Sequence, residues 1–335
     1  MNGLDPEEDK YSKSAASYRN NVVLAAAMVV SFAFGKFITT TPPPLPLAQS
    51  SYAAASLRAH ADDQQQVFLQ FPPSTKEIVI NIGSNLDPIL PAYSMGPCAH
   101  SIAVEPIIGC EIVEHRQLSV IHAAVSDKAG VATMFKYNTG GQSSSFAKAA
   151  TNAKWNTNKE RNDGKHVIVP VITLSSFLNA IPSTVKISFL KTDMQGFDYA
   201  AIKEAGTLLV EKGVYHISSE VWYDDVYSYD AANDFCRDWL PLMTELGYVL
   251  SHFDGVGNRG GIGNQPANIE KVEAQCQEQL KQFPERPTVE QRHGLSEGNA
   301  WWVHRNAIDV PFPDTPLNYQ FDNNHFTEED YATCV

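Results

Sequence analysis

A chain of 335 residues with 43% apolar side chains can bury a sizeable core. Its formal charge of −13 excludes a phosphate-backbone partner, which needs a surplus of Lys and Arg on one face. The five cysteines at 98, 110, 236, 276 and 334 form no Cys-x-x-Cys pair, which argues against a structural zinc site; no metal is expected, and disulfides would need an oxidising compartment and leave one cysteine over.

Residues 1–20 read as an N-terminal tail and residues 21–38 as a transmembrane signal anchor. Val22 to Gly35 is apolar or small throughout, and Phe37 and Ile38 extend the run past Lys36. That makes about seventeen residues, the short end of a bilayer span, with the Lys36 stem able to reach the headgroups. Lys10, Lys13 and Arg19 precede the segment and only Lys36 follows before Arg58, so the N-terminus is expected in the cytosol and the catalytic bulk in the ER or Golgi lumen. A cleaved signal peptide or an organellar targeting segment are the competing readings; the acidic leader Asp5 to Asp9 speaks against the former. Residues 39–70, rich in Pro, Ala and Ser, read as a stalk. No Asn-x-Ser/Thr sequon is present, which is unexpected for a lumenal domain of this size.

Residues 71–310 read as one α/β domain. Glu77 to Ile82, Ser101 to Glu105, Leu118 to Val125, Val185 to Thr192, Val214 to Val221, Tyr248 to Phe253 and Ala300 to His304 are predicted strands. Helices are predicted over Asp198 to Leu209 and Ala231 to Leu246. Nearly continuous apolar strands alternating with helices imply a seven-stranded, mostly parallel sheet with helices on both faces, and ligands at the strands' carboxyl ends. Residues 254–298, glycine-rich and then a polar helix around Glu270 to Gln282, read as an insertion before the last strand; residues 311–335 form a C-terminal tail.

The first strand runs into Asn81-Ile82-Gly83-Ser84-Asn85-Leu86-Asp87, where Gly83 allows a tight turn and close approach to a ligand. The second ends at Glu105, at the spacing where a carboxylate accepts the ribose hydroxyls of an adenosine cofactor. The fourth ends in Lys191-Thr192-Asp193, followed by Met194-Gln195-Gly196-Phe197-Asp198. Charges closing a buried strand are costly unless paired or employed, so either an active site or a Lys191–Asp193 ion pair, with Asp198 capping the next helix, is expected there.

The blocks VINIGSNLD, IAVEP, HAAVSDKAGVATMF, VPVITLSSFL and ISFLKTDMQGFDYAAIKEAG, in that order over roughly residues 77 to 222, resemble the FkbM-type methyltransferases. The resemblance implies a Rossmann-like class I methyltransferase fold, S-adenosylmethionine as cofactor and, usually, O-methylation of a hydroxyl. It implies that Gly83, Ser84 and Asn85 line the methionine end of the cofactor, with Asn81 and Asp87 in the same loop. Glu105 would hold the ribose, and His122, Ala123 and Asp127 would lie near the adenine. Asp193 would stand beside the sulfonium and the acceptor, with Lys191 behind it and Glu220 closing the site. Three positions depart from the family pattern. Asp87 stands where a second Gly is usual and either meets the cofactor's ammonium or obstructs its carboxylate; Asn81 replaces a frequent acid, and Gln195 a frequent Glu.

If the acceptor is a hydroxyl, Asp193 is the first candidate to remove its proton, ahead of His216, Glu220 and His252. Trp222, Tyr223, Tyr227 and Tyr229, with Asp224 and Asp225, form either a sugar-binding lip or packing under the following helix, and a hydroxyl of a glycan or small molecule is the expected acceptor. Two other readings stay open. One is a membrane-anchored glycosyltransferase holding a metal-bound nucleotide sugar on Asp224 and Asp225; the other is a catalytically silent binding domain whose pocket Asp87 has spoiled.

Overall fold

The computed structural model describes residues 69–85, 88–107, 115–137, 143–148, 165–222, 229, 231–255, 269–286, 297–312 and 326–334. The tail at 1–20, the apolar segment at 21–38 and nearly all of the stalk lie outside them, as do Asp87, Cys110, Tyr223, Asp224, Asp225 and Tyr227. Among the described residues no helix is long and apolar enough to cross a membrane.

Seven strands form the main sheet: β1 (Glu77–Ile82), β2 (Ala99–Val104), β3 (Leu118–Ile121), β7 (Lys186–Thr192), β8 (His216–Trp222), β9 (Tyr248–Gly255) and β10 (Glu297–His304). Their order is β3-β2-β1-β7-β8-β10-β9. Each of the seven predicted strands contributes to it, with ends displaced by a few residues. The sheet, expected to be mostly parallel, is mixed. Four neighbouring pairs are parallel, but β10 runs antiparallel to both β8 and β9. β9 ends and β10 begins at the same end of the sheet, with Gly255 opposite Gly298 and Glu297 opposite Trp222 at the end of β8, so β10 runs back in the opposite direction.

Alternation along each strand separates two faces. Ile78, Ile80 and Ile82 of β1 join Ile102, Leu190, Ile217 and Trp302 in the main core. Onto this face pack α1 (Leu174–Asn179), α2 (Asp198–Ala205), α3 (Leu208–Glu211), the π turn Phe235–Trp239 running into α4 (Leu240–Glu245), and α5 (Ile269–Gln282). Helices on both faces were expected. Among the described residues the opposite face is instead covered by segments without α-helix: Ser101 Oγ donates to Ile89 O, and Phe312 packs edge-on against Trp301 and His216. Pro88 and Pro91 in the first segment and Pro311 in the second explain why neither continues as a helix.

The predicted strand Leu118 to Val125 is two strands. β3 pairs with β2 until Ile121 lies opposite Val104, where β2 ends. The chain then turns and joins a second, three-stranded sheet as β4 (Ala124–Ser126), with β5 (Gly130–Lys136) and β6 (Lys165–Thr173) in the order β4-β6-β5. The predicted helix Asp198 to Leu209 is likewise split into α2 and α3 at Gly206, whose φ of +51° ends the helical path. In the predicted helix Ala231 to Leu246, Asp234 receives the Arg237 N–H at the start of the π turn, and only Leu240 onward is α-helical.

Two disulfides are present, Cys98–Cys334 and Cys236–Cys276. The first ties the short α6 (Glu328–Ala332) beside the start of β2, and the second ties α5 to the π turn. At the N-terminal end Leu69 and Phe71 already pack against the core, and the Leu69 N–H donates to Ala180 O.

Candidate active site

β1 has β2 on one side and β7 on the other, so the connections leaving its two flanks diverge and open a crevice at the strands' carboxyl ends. Three loops meet there. Gly83 follows β1 with φ +76°, and its N–H donates to Val104 O at 2.8 Å, while the Asp193 N–H donates to Ile82 O at 2.9 Å. The loops after β1 and β7 therefore touch: a Cβ on Gly83 would stand 1.9 Å from Asp193 O. Asn85, at φ +46°, turns its N–H onto Glu105 Oε2 at 2.8 Å. Glu105 Oε1 accepts the Ile107 N–H at 2.9 Å.

Glu105 is buried, and burial pushes its carboxyl above the usual range, with Asp193 adding to the rise while the Ile107 and Asn85 N–H groups oppose it. Each of its oxygens accepts one backbone hydrogen and keeps further acceptor capacity.

Gly83, Asn85, Glu105, Ala123 and Asp193 line one cleft. Among the described residues the other predicted ones do not line it, and Asp87 lies outside the described residues. Asn81 is fully buried in β1 with Lys191 opposite it in the register. Ser84 is buried behind the loop, and its Oγ has no hydrogen-bond partner among the described residues. His122 lies at the turn between the two sheets, and Asp127 is exposed, accepting the Ser126 hydroxyl at 3.1 Å. Lys191 pairs with Asp193 Oδ2 at 3.4 Å. Glu220, at the end of β8, reaches the site through Gln195, whose Nε2 donates to Asp193 Oδ1 at 2.9 Å and to Glu220 Oε1 at 3.2 Å.

Asp198 is fully buried and accepts the Met194 N–H on both oxygens. Burial, and then the neighbouring Asp193, raise its carboxyl to about 7. Of the aromatic cluster, Trp222 and Tyr229 are packed, not displayed, but against Tyr137 and Ala147 after β5 and not under the following helix. His216 and His252 stack in the cluster around Trp301 and Phe312 on the opposite face and do not line the cleft.

Sequence reasoning missed the contribution of the second sheet. Met134 from β5, and Ser144 and Phe146 from the strap after it, line the cleft. The strap is anchored from both sides, since Ser145 Oγ donates to Gln195 O and Tyr229 OH donates to Ser143 O. The Ser144 hydroxyl is buried with no partner among the described residues and stands in the cleft wall. The small polar run Gly140 to Ser145 was the one available signal, and it reads as a loop.

A glycine where side chains are forbidden, a buried carboxylate with acceptor capacity and an orphaned hydroxyl, all around one cleft, fit a ribose-bearing cofactor. The cleft lies at the carboxyl ends of β1, β2 and β7, where open α/β sheets hold their ligands. The family model of the methyltransferase FkbM domain matches residues 77–250, more than half of the chain, and the protein belongs to that family. No curated protein matches the chain.

Proposed function

We propose that this protein is an S-adenosylmethionine-dependent methyltransferase that transfers a methyl group to a hydroxyl, favouring that of a glycan or another small lumenal molecule. The observation that carries the reading is the convergence of Gly83, Glu105 and Asp193 on one cleft. Glu105 would hold the ribose hydroxyls, and Gly83 and Asn85, which line the cleft, would meet the methionine end. Ala123, Ala124, Val125 and Met134 offer an apolar slot for the adenine. The cofactor, when bound, supplies a methyl on a positively charged sulfur. What remains for the protein is alignment and one proton. Asp193 would accept that proton, with Lys191 holding its Oδ2.

The two disulfides support an oxidising compartment, and with the apolar segment at 21–38 they favour a single-pass anchor with cytosolic N-terminus and the catalytic domain in the ER or Golgi lumen. The fold's open crevice between β1 and β7 also favours the Rossmann-like reading.

Thermal unfolding with S-adenosylhomocysteine tests this. At a hundredfold excess over Kd the ligand stabilises a binding protein by about 2.7 kcal/mol. Stabilisation by a nucleotide sugar with Mn²⁺ instead would favour the glycosyltransferase reading, and stabilisation by neither a silent domain. Asp193→Asn is expected to lower methyl transfer to a panel of methyl glycosides by roughly a hundredfold to ten-thousandfold while S-adenosylhomocysteine still binds. Unchanged transfer would remove Asp193 from the mechanism.

A further inference from the structure

We propose that Gln195 is a positioning residue: its side-chain amide ties Asp193 to Glu220 and so aims the Asp193 carboxylate at the reacting hydroxyl. The proposal rests on the methyltransferase reading above. Gln195 occupies the left-handed region at φ +51°, a conformation a non-glycine residue holds only when its surroundings insist on it. Here they do. Ser145 Oγ donates to its carbonyl at 2.8 Å, and the next residue, Gly196 at φ +99°, lies so close to Trp222 that a Cβ would stand 2.9 Å from the ring. The turn directs the side chain back between two strand ends, β7 and β8.

Each polar atom of that side chain is used. Nε2 carries two hydrogens, and it has two carboxylate acceptors, Asp193 Oδ1 at 2.9 Å and Glu220 Oε1 at 3.2 Å. Oε1 lies 2.9 Å from the hydroxyl of the buried Tyr229, whose single hydrogen it shares with Ser143 O. The reverse amide orientation would set its oxygen against two carboxylates, so the network fixes which atom is nitrogen. A glutamate here could not do the same: ionised it has no hydrogen to give, and protonated it has one where two are needed.

The charged and titratable groups around the bridge come from every neighbouring element. Lys191 of β7 holds Asp193 Oδ2, Asp198 heads α2 behind the loop, Glu105 lies across the cleft at the end of β2, and Tyr229 closes the side. With four carboxylates in that shell, an uncharged double donor binds two of them together without adding a fifth negative charge. Asp193, which lines the cleft, is thereby held at both oxygens, one by an amide and one by an ammonium.

The test uses the full-length chain and two variants, Gln195→Glu and Gln195→Ala. Replacing the donor with a carboxylate adds repulsion that protonation relieves. The Tm deficit of Q195E relative to the unaltered protein should therefore shrink by at least about half between pH 8 and pH 5, while the deficit of Q195A stays roughly constant. A Q195E deficit that does not vary with pH would overturn the bridge. The second readout is the ratio of the Kd for S-adenosylhomocysteine to that for sinefungin, an analogue carrying an amine where the sulfonium methyl stands. The unaltered protein should prefer sinefungin, and Q195A should lose at least about fivefold of that preference while its S-adenosylhomocysteine Kd stays within about twofold. An unchanged ratio would show that Gln195 does not aim Asp193. Binding of neither ligand by the unaltered protein, with the pH-dependent deficit intact, would overturn the methyltransferase reading and the positioning role with it.

Discussion

Gly83 shows how one missing Cβ sets the site. Its positive φ is strained for any other residue, and the Asp193 carbonyl occupies the place where a Cβ would go. Relief would require the loops after β1 and β7 to separate, and both are tied by backbone hydrogen bonds to the strands they leave. Gly83→Ala is therefore expected to destabilise the protein by roughly 3 kcal/mol or more, measured by urea unfolding, and to abolish S-adenosylhomocysteine binding. Gly213 is the control: its φ of +72° is as unusual, but a Cβ there meets nothing within 4 Å, so Gly213→Ala should cost only about 1–2 kcal/mol and leave binding intact. Gly83 and Glu105 were legible in the sequence because a glycine after an apolar strand and an acid at the next strand's end are local signals. The place of Ser144 in the cleft wall and the hydrogen bond from Gln195 to Glu220 were not, because each depends on residues of separate elements, 25 positions apart in the second case.

Helix α5 is held by few apolar contacts. Of its fourteen residues only Val272 and Cys276 are buried, one turn apart. Its anchorage includes the Cys236–Cys276 disulfide, the Arg237 guanidinium on Phe283 O and Pro284 O just past its end, and the Arg286–Asp238 ion pair at 2.5 Å. A cross-link spanning 40 residues contributes roughly 4 kcal/mol in the chain-entropy account. Cys276→Ser, or mild reduction, should thus loosen residues 269–282 first. Hydrogen exchange would rise there while β1, β2 and β7 stay protected; uniform deprotection would refute local anchorage. The helix itself was legible from its polar periodicity, whereas the partner of Cys276 was not, since five cysteines permit many pairings.

Two buried groups give the folded chain opposing responses to pH. Asp198 is raised to about 7 from an ordinary value of 3.8, so the native state holds its proton more tightly than the unfolded chain does, and stability falls as pH rises from about 4 to 7. His100, buried and hydrogen-bonded to Ser119, is lowered to about 4 from 6.5, chiefly by burial and then by His115. The unfolded chain binds that proton more readily, so this part of stability is lost as pH falls from about 6.5 to 4. The two slopes nearly cancel over pH 4–6.5. Asp198→Asn should therefore leave a Tm that rises with pH across this window, and His100→Gln one that falls; parallel profiles for both variants would refute the assignment.

Local chemistry was enough for the chain to declare its seven core strands, the bend at Gly83, the acid at Glu105 and membership in the FkbM methyltransferases, because apolar alternation and backbone sterics act within a few residues. Folding in three dimensions settled the rest. The reversal of β10, the gathering of α1 to α5 on one face, the second sheet that walls the cleft and the pairing of Cys98 with Cys334 across 236 positions all depend on surfaces that meet only after distant segments compete for the same buried space.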